Sequence, residues 1–521
     1  MQIVMNESTQ NKDNVKIIYK AIFSSLIIGT IFEALFFPDL KNLYGCGIFI
    51  LSWILLYNLV LKKNRIKCFL PYFMMLGLGI SFFWLPLMIT LVEGKPITFR
   101  FVNPFLTFNN QFFNLIMLIC AYRFCFWLYT QNNFLHRFWA KLGYFKIPSD
   151  AQIWALSFIG LGCFLFGLQT MGTENASAEN MGTSGHIISA MQIFSGLPIL
   201  FFFKELFGGR ENKVNKKWVW GYLAIFIMLG IATGKRGTIL MPFASMLMCY
   251  IIPAILYNKK IFSYKGAILL LVIVYLTTGP VADLAMAMAV GRDESGKTSS
   301  SKTFDNILRI YNDKELLHNL AQAYMASNDN GGDNNYGWSE YYVDNILLDR
   351  FCNLRVCDAT LYYAKKLGYD NRIMHKYLEN QILFQIPTPI LKILGNNANK
   401  FDNDYTPGDL ISTQGLGLRS QYKGFRVAGD TGIGLYLWGY KYYIFAFFIY
   451  FAYFYFMSSL VTVCRNKIQI PLPQVLSLMA IFFAFNNATG IVGIIGTLLR
   501  VGWQNVVLYC LVLFVIRKII K

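Results

Sequence analysis

The chain has 521 residues, of which 55% are hydrophobic and 17% aromatic, while only 14% are charged. This composition excludes an ordinary water-soluble globular protein and is typical of a chain that crosses a membrane many times. The formal net charge of +19 invites a nucleic-acid-binding interpretation, but the placement of the basic residues argues against it.

Apolar runs long enough to cross a bilayer recur about twelve times along the chain. They lie near residues 17–37, 44–61, 69–92, 111–130, 151–170, 187–207, 218–233, 237–257, 266–289, 432–459, 472–492 and 500–516. Because lipid offers no hydrogen-bond partner to a free backbone group, each run is expected to be a helix. No small-residue cleavage site follows the first run, so no removable signal peptide is expected. The predicted fold class is all-α, a polytopic membrane helix bundle.

Lysine and arginine concentrate on alternate sides of successive apolar runs. Twenty-three of them fall in connections that would share one side, and six fall in the other short connections: Lys41, Lys95, Arg100, Lys235, Arg236 and Arg500. By the positive-inside rule the larger group is cytoplasmic, so both termini are expected to face the cytoplasm. The basic excess is then mainly a topology signal, and no nucleic-acid partner is expected.

One large polar segment, about 290–431, separates an N-terminal membrane part (1–289) from the C-terminal spans (432–521). It holds 16 Lys and Arg against 17 Asp and Glu, and the topology places it outside the cytoplasmic membrane. Apolar residues at helical spacing within 338–369 and 371–385 predict two amphipathic helices. We expect the segment to lie as a cap over the outer mouth of the bundle.

Lys235 and Arg236 stand between two apolar runs, at the predicted first turn of a membrane helix on the outer side. The helix dipole already places partial positive charge there, and four backbone N–H groups lack helical partners. Cations beside free N–H groups make an anion-binding site, so phosphate binding is one interpretation. The other is a pair of anchors that reach the lipid interface.

A second basic cluster ends the polar segment. Arg419, Lys423 and Arg426 would share one face of a helix, on the same outer side as Arg236, and could converge with it on one anionic group. Alternatively they touch lipid head groups. Asp430 follows, either as the N-cap of the next span or as a general base.

Other ionisable and aromatic residues are further candidates. Arg123 lies inside a predicted span, where it has a functional role or pairs with Glu33 or Asp283.

Within the polar segment, Arg350 and Arg355 are candidate substrate contacts, although Arg355 and Asp358 are expected to form an ordinary surface ion pair. The aromatic rings of Trp338, Tyr341 and Tyr342 are expected to stack on sugars or to pack in the core.

Several kinds of chemistry have no motif in this sequence. Neither a nucleotide-binding loop nor a hydrolase or metalloprotease motif is present. The ten cysteines have no zinc-finger spacing, and the histidines at 136, 186, 318 and 375 form no ligand set. No metal site and no cofactor are therefore expected.

Two short motifs resemble those of the Wzy-type O-antigen polymerases, a family of polysaccharide repeat-unit polymerases related to O-antigen ligases. The stretch "TGKRG" (233–237) is similar to the small-residue, Arg, Gly turn that opens a span in that family, with Lys235 where a Ser is commoner. The stretch "RVAGDTGIGLYLWGYKYYIF" (426–445) resembles the Gly-rich start of the span after the large loop. Asp430 stands near the place where the ligases carry a His.

The resemblance implies a GT-C-like fold in the bacterial inner membrane and a metal-independent glycosyltransferase. Its donor and acceptor would be undecaprenyl-diphosphate-linked oligosaccharides at the periplasmic face, and a chain-length regulator protein is a partner that it allows. Arg236, Arg419, Arg426 and Asp430 would be catalytic, with Lys235, Lys423, Arg123, Arg350, Arg355, Trp338 and Tyr341 in substrate contact. The rival interpretations are a polysaccharide transporter or flippase, a ligase-like enzyme, and another GT-C glycosyltransferase.

Overall fold

The computed structural model describes residues 14–62, 66–131, 134–171, 185, 188, 190–209, 215–232, 236–257, 268, 272, 275, 279–294, 300–328, 338, 340–349, 352–386, 388–395, 405–417, 426–464, 467–486 and 489–520. In these ranges the chain is mostly helical, which agrees with the predicted helical class.

The N-terminal part contains apolar helices joined by short connections. They are α1 (Asn14–Phe36), α2 (Leu40–Leu56), α3 (Phe69–Phe83), α4 (Leu85–Val92), α5 (Pro104–Gln131), α6 (Phe134–Leu142), α7 (Asp150–Met171), α8 (Lys216–Ala232) and α9 (Arg236–Tyr257). A π-helical turn, Tyr57–Leu61, extends α2. Two 3₁₀ helices, Gln192–Phe202 and Lys204–Phe207, lie between α7 and α8.

The polar middle of the chain is also helical. Its helices are α10 (Pro280–Glu294), α11 (Ser300–Asn312), α12 (Lys314–Asn328), α13 (Ile346–Asp349), α14 (Leu354–Leu367), α15 (Arg372–Leu383), α16 (Thr388–Ile393) and α17 (Pro407–Leu416). Local signals fix several ends. Asn371 caps α15, while α17 begins with a Thr406–Asp409 capping box and ends at the left-handed Gly417.

The C-terminal part begins with α18 (Asp430–Trp438) and α19 (Tyr442–Ser459), which a short 3₁₀ turn at Gly439–Lys441 joins. An antiparallel hairpin follows, in which β1 (Thr462–Cys464) pairs with β2 (Lys467–Gln469), so the chain is not purely helical. The remaining helices are α20 (Leu472–Leu476), α21 (Leu478–Phe482), α22 (Gly490–Gly496) and α23 (Gly502–Ile519), with a π-helical link at Thr497–Val501.

Six helical stretches among the described residues are long and apolar enough to cross a membrane. They are Asn14–Phe36, Leu40–Leu61, Phe69–Val92, Pro104–Tyr129, Asp430–Ser459 and Gly490–Ile519. Shorter apolar helices occur at Asp150–Phe166, Gln192–Phe202 and Ser245–Tyr257. The structure is therefore that of a helical membrane protein.

Several of the predicted spans are not continuous α-helices, since 69–92 divides into α3 and α4 and 432–459 divides into α18 and α19. The run predicted at 187–207 contains 3₁₀ helices and carries Pro198 in its interior, where the missing N–H breaks an α-helical ladder. The run predicted at 472–492 is broken into α20, α21 and a 3₁₀ turn at Ala484–Asn486, before a new helix starts at Gly490. Gly490 has a φ of +49°, a conformation that favours glycine.

Hydrogen bonds gather the predicted cytoplasmic connections at one end of the bundle. Lys204 donates to both carboxylate oxygens of Asp150 at 2.8 and 2.7 Å. The backbone N–H of Ile470 donates to Leu206, and the Arg517 side chain donates to the carbonyl of Ile147.

The predicted outer connections meet at the opposite end. Glu33 accepts from the backbone N–H of Ile97, and Glu93 accepts from the backbone N–H groups of Asp344 and Asn345. These contacts join connections that the basic residues assign to the same side.

The sequence predicts that the polar segment lies as a cap over the bundle. This prediction is wrong for α14. Ten of the fourteen residues of α14 are buried, and this helix packs against α5, α17 and α18. The predicted boundaries also fall inside helices, because α10 runs through residue 289 and α18 begins at Asp430. Part of the polar segment is therefore built into the core.

Candidate functional site

The glycine-rich start of α18 packs directly against α14. A Cβ atom added at Gly429 would lie 2.7 Å from Cα of Cys357, and one at Gly432 would lie 2.5 Å from Cγ2 of Thr360. The backbone N–H of Gly429 donates to Oγ1 of Thr360 at 2.9 Å. Glycine is thus required here because any side chain would separate the two helices.

Asp430 is buried at the first position of α18, with 7% of its surface exposed. The prediction that it caps this helix is wrong, because Gly429 is the N-cap residue and no side chain caps the helix. The carboxylate turns toward α19 instead. Its Oδ2 accepts a hydrogen bond of 2.5 Å from Tyr450, and the hydroxyl of Tyr442 lies 2.9 Å away.

The other oxygen of Asp430 faces the start of α22. A Cβ atom at Gly490 would lie 2.8 Å from Oδ1. Oδ1 itself, Oγ1 of Thr431 and the side-chain amide of Asn486 are buried without a hydrogen-bond partner in the described part of the chain. Asp430 therefore lies among hydrogen-bonding groups in an otherwise apolar interior.

Helix α5 brings a row of amides to the same place, in the stretch "FNNQFFN" (108–114). Asn110, Gln111 and Asn114 are buried. Oδ1 of Asn114 lies 3.1 Å from the hydroxyl of Tyr442, so the single proton of that hydroxyl can serve either Asn114 or Asp430. The amides connect α5 to α19 through hydrogen bonds across the bundle.

An open groove of about 760 Å³ lies on the outer surface of these same two helices. Its walls are the apolar side chains Phe113, Ile116, Met117, Ile444, Phe447 and Phe448, while Asn109, Asn110, Tyr440 and Tyr443 line it with polar groups. The hydroxyl of Tyr443 donates to Oδ1 of Asn110 at 2.8 Å. Tyr442 and Asn114 contact Asp430 or each other, and their chain neighbours Tyr443 and Phe113 line the groove. The groove and Asp430 therefore share one wall, which α5 and α19 form.

A small charged cluster stands beside the groove, where Tyr440 leads into α19. Nε2 of His375 lies 2.7 Å from Oδ1 of Asp370, and Nζ of Lys441 lies 3.7 Å from Oδ2. The hydrogen bond with His375 is the main cause that lowers the pKa of Asp370. Asp370 has a φ of +60°, which is uncommon for a residue with a side chain.

Arg355 and Asp358 form a buried pair rather than the predicted surface ion pair. Nη1 of Arg355 lies 3.1 Å from Oδ2 of Asp358, and the side chains are 3% and 0% exposed. The carboxylate also accepts from the backbone of Val102 and Asn103 and from Thr107. Burial raises the pKa of Asp358, although these hydrogen bonds and the arginine oppose the shift. Arg355 is thus directed into the protein interior.

Arg426 is held by the helix that precedes it in the chain. Its Nη1 donates to Oγ of Ser412 at 2.8 Å, its backbone N–H donates to Asp409, and its carbonyl accepts from Thr406. Gly408 approaches this carbonyl so closely that a Cβ atom would lie 2.2 Å from the oxygen. These contacts hold Arg426 against α17, four residues before Asp430 in the chain.

The remaining predicted anion-binding residues are Arg236, Lys235, Arg419, Lys423 and Arg350. Arg236 is the first residue of α9, within the first helical turn as predicted. Lys235, Arg419, Lys423 and Arg350 lie outside the described residues.

Arg123 is exposed on α5. Neither proposed partner contacts it, because Glu33 binds the backbone of Ile97 and Asp283 pairs with Lys314.

Trp338 and Tyr341 are buried, with 3% and 7% of their surface exposed. The indole ring of Trp338 packs on Tyr363 at 5.9 Å, and Tyr341 joins the small core between α10, α11 and α12. In this conformation neither ring has an open face for a sugar.

Sequence reasoning missed the residues that surround Asp430. Tyr442 and Tyr450 fall within the predicted span 432–459, and no sequence prediction covers them or the amides of α5. A signal was present, because Asn109, Asn110, Gln111 and Asn114 crowd into a membrane-length helix, where polar side chains are uncommon and usually find partners on other helices.

No family model, no curated protein and no solved structure matches this chain. The contacts described above and the short sequence motifs are therefore what the functional proposal rests on.

Proposed function

We propose that this protein is a membrane glycosyltransferase that joins undecaprenyl-diphosphate-linked oligosaccharide repeat units into a polysaccharide such as O-antigen or capsule. It would act at the periplasmic face of the bacterial inner membrane. The helical membrane fold and the two motifs around Arg236 and Asp430 support this proposal.

The observation that carries the proposal is the position of Asp430. A carboxylate with two tyrosine hydroxyls at one oxygen lies behind a surface groove, at the start of a membrane-length helix. In glycosyl transfer to a sugar hydroxyl, the acceptor oxygen forms a bond to the anomeric carbon while the bond to the lipid diphosphate breaks. The diphosphate leaves with the electron pair. Asp430 would accept the acceptor proton, directly or through Tyr442.

The departing diphosphate needs positive charge and hydrogen-bond donors. Arg236 is the first residue of α9, and Lys235 precedes it in the chain. The first backbone N–H groups of a helix have no partner within the helix, and with nearby cations they form the arrangement that binds phosphate. Arg419 and Lys423 would complete the clamp from the polar segment. Arginine suits this role because its planar fork binds two oxygens at once.

The orientation of the protein can be tested independently of activity. The basic residues predict that a reporter fused at Asn215 is cytoplasmic and that one fused at Asn334 is periplasmic. Both reporters on one side would contradict the proposed topology.

Gene deletion tests the proposed reaction. Cells without the protein should accumulate lipid-linked single repeat units on the periplasmic side and make no polymer. Re-expression of the wild-type chain should restore the polymer at a matched protein level, whereas normal polymer in the deletion strain would rule out the proposed role.

A transporter or flippase is the second candidate, because the breaks at 472–490 resemble the discontinuous helices that carriers use. Loss of a flippase would leave the repeat units on the cytoplasmic leaflet instead. The side on which they accumulate therefore separates the two functions.

A further inference from the structure

We infer that the groove between α5 and α19 binds the hydrocarbon chain of a polyprenyl diphosphate. The diphosphate would bind at the charged rim of the groove, which Lys441, Arg372 and Lys376 form. This inference rests on the proposed function and adds to it the location of the lipid-linked acceptor, since the donor's departing diphosphate is assigned to the start of α9. The occupant is a lipid-linked diphosphate rather than a bulk phospholipid or a second protein.

The groove has the volume and lining of a ligand site. Its 760 Å³ falls within the range of small-molecule pockets, and apolar side chains dominate it. Ile444 and Phe448 are 63% and 60% exposed, and Phe113 is 56% exposed. These faces are open to the hydrophobic surroundings of the bundle, so a lipid chain can enter from the side without crossing the protein.

The groove changes character along its length. Phe448 and Ile444 lie on α19, and Lys441 stands at the turn just before it. Seven residues separate Phe448 from Lys441, a rise of about 10 Å along a helix. Tyr440, Tyr443, Asn109 and Asn110 form the polar end. An amphipathic molecule with an apolar chain and a polar head matches this order.

The rim favours an anionic head group. Lys441 is 72% exposed, and Arg372 and Lys376 are exposed on the first turns of α15, next to Asp370 and His375. Three lysine or arginine charges thus accompany Asp370 and Glu379, of which Glu379 is exposed on the next turn of α15. A diphosphate carries more negative charge than the single phosphate of a phospholipid, so it gains more from this cluster.

The groove also shares a wall with the candidate reaction site. Tyr443 and Phe113 line it, while their chain neighbours Tyr442 and Asn114 turn inward to Asp430. A chain bound in the groove would therefore place its diphosphate at the outer end of the wall that carries the carboxylate. An unrelated lipid would need no such neighbour.

Photocrosslinking of the full-length protein in phosphatidylcholine nanodiscs tests this site. The probe is a polyprenyl diphosphate with a photoreactive group in its chain, and labelled peptides are identified by mass spectrometry. We expect labels on α5 and α19 that unlabelled polyprenyl diphosphate removes. Equal removal by phosphatidylglycerol would overturn the inference, since the groove would then accept any lipid. Equal removal by inorganic pyrophosphate would overturn it too, since the chain would contribute nothing.

Two substitutions probe the two ends of the groove. Ile444→Trp fills the apolar part, and displacing even two methylene groups should weaken labelling about tenfold. Lys441→Glu reverses a rim charge and should weaken it by a similar factor of about ten.

Matched controls are Leu511→Trp, on a comparably exposed site of α23, and Lys518→Glu, at the far end of the same helix. Both should label like the wild type. Wild-type labelling in either Ile444→Trp or Lys441→Glu would refute the inference.

The binding assay and the polymer assay can fail separately. If the protein shows the expected labelling pattern but makes no polymer, the lipid site is supported and the proposed function is contradicted. If the protein makes polymer but all four variants label equally, the function is supported and this site is contradicted.

Discussion

Thr107 in the first turn of α5 donates a hydrogen bond of 2.8 Å to Asp358 of α14, although 251 positions separate them in the chain. The same carboxylate accepts from the backbone N–H groups of Val102 and Asn103, just before α5 begins. A helix start is usually capped by a neighbouring residue. Here the acceptor comes from a distant helix, so α14 fixes the outer end of α5.

Replacement of Asp358 should strongly destabilise the protein. Asp358→Ala removes the acceptor of these bonds and the partner of buried Arg355, which typically costs about 3–5 kcal/mol. Asp283→Ala is the control, because its pair with Lys314 is exposed and should contribute little. Thermal unfolding of the detergent-purified variants measures both. Equal melting temperatures for the two would contradict a special role for the buried carboxylate.

The glycine contact between α18 and α14 should tolerate no added carbon. Gly429→Ala would place a methyl group 2.7 Å from the backbone of Cys357, and such overpacking costs about 1–3 kcal/mol. Gly47→Ala on α2 meets no atom within 4 Å and should be neutral or slightly stabilising. The same unfolding measurement distinguishes them. A stable Gly429→Ala variant would mean that the helices can separate without loss.

Asp430 should matter for the reaction more than for the fold. Asp430→Asn keeps the volume and removes the proton acceptor, so polymer formation should fall by about 10²–10⁴-fold. Tyr450→Phe removes one hydrogen bond to the carboxylate and should have a smaller effect. In vitro polymerisation with matched amounts of folded protein is the measurement. Near-normal activity of Asp430→Asn would leave Asp430 as a structural residue.

Arg236 and Arg426 should respond differently to substitution. Arg236→Lys keeps the charge but loses the planar fork, so polymerisation should fall roughly a hundredfold with little loss of folded protein. Arg426→Ala removes the contact with Ser412 and should lower the amount of folded protein. Polymer yield and membrane protein level are measured together. Normal polymer from both Arg236→Lys and Arg236→Ala would identify Arg236 as a membrane anchor.

The long apolar helices could be predicted from sequence because their signal is local. The run predicted at 69–92 corresponds to α3 and α4, and the start of α9 lies one residue before the predicted one. The breaks could not be predicted from hydropathy alone. Short helices around 472–486 remain apolar, and what interrupts them is backbone geometry at Ser477 and Phe483, where ψ leaves the helical range.

The site was harder to predict because its contacts cross long distances in sequence. The sequence predicts a surface position for Asp358, since its polar partners at Val102 and Thr107 lie far away in the chain. It predicts an amphipathic α14 for the same reason. Residue type reveals that a side chain is polar, but it does not reveal which buried group will satisfy it. Asp430 was noticed, yet Tyr442 and Tyr450 were not.

The insertion of α14 between α5 and α18 has a consequence for how the chain matures. A ribosome completes α5 long before it reaches residue 354, so the outer start of α5 must wait for its acceptor until the chain is about two-thirds made. During that interval the amides of α5 also lack their tyrosine partners on α19. Nascent chains halted before residue 354 should therefore be good substrates for membrane proteases, while chains released after α19 should resist them.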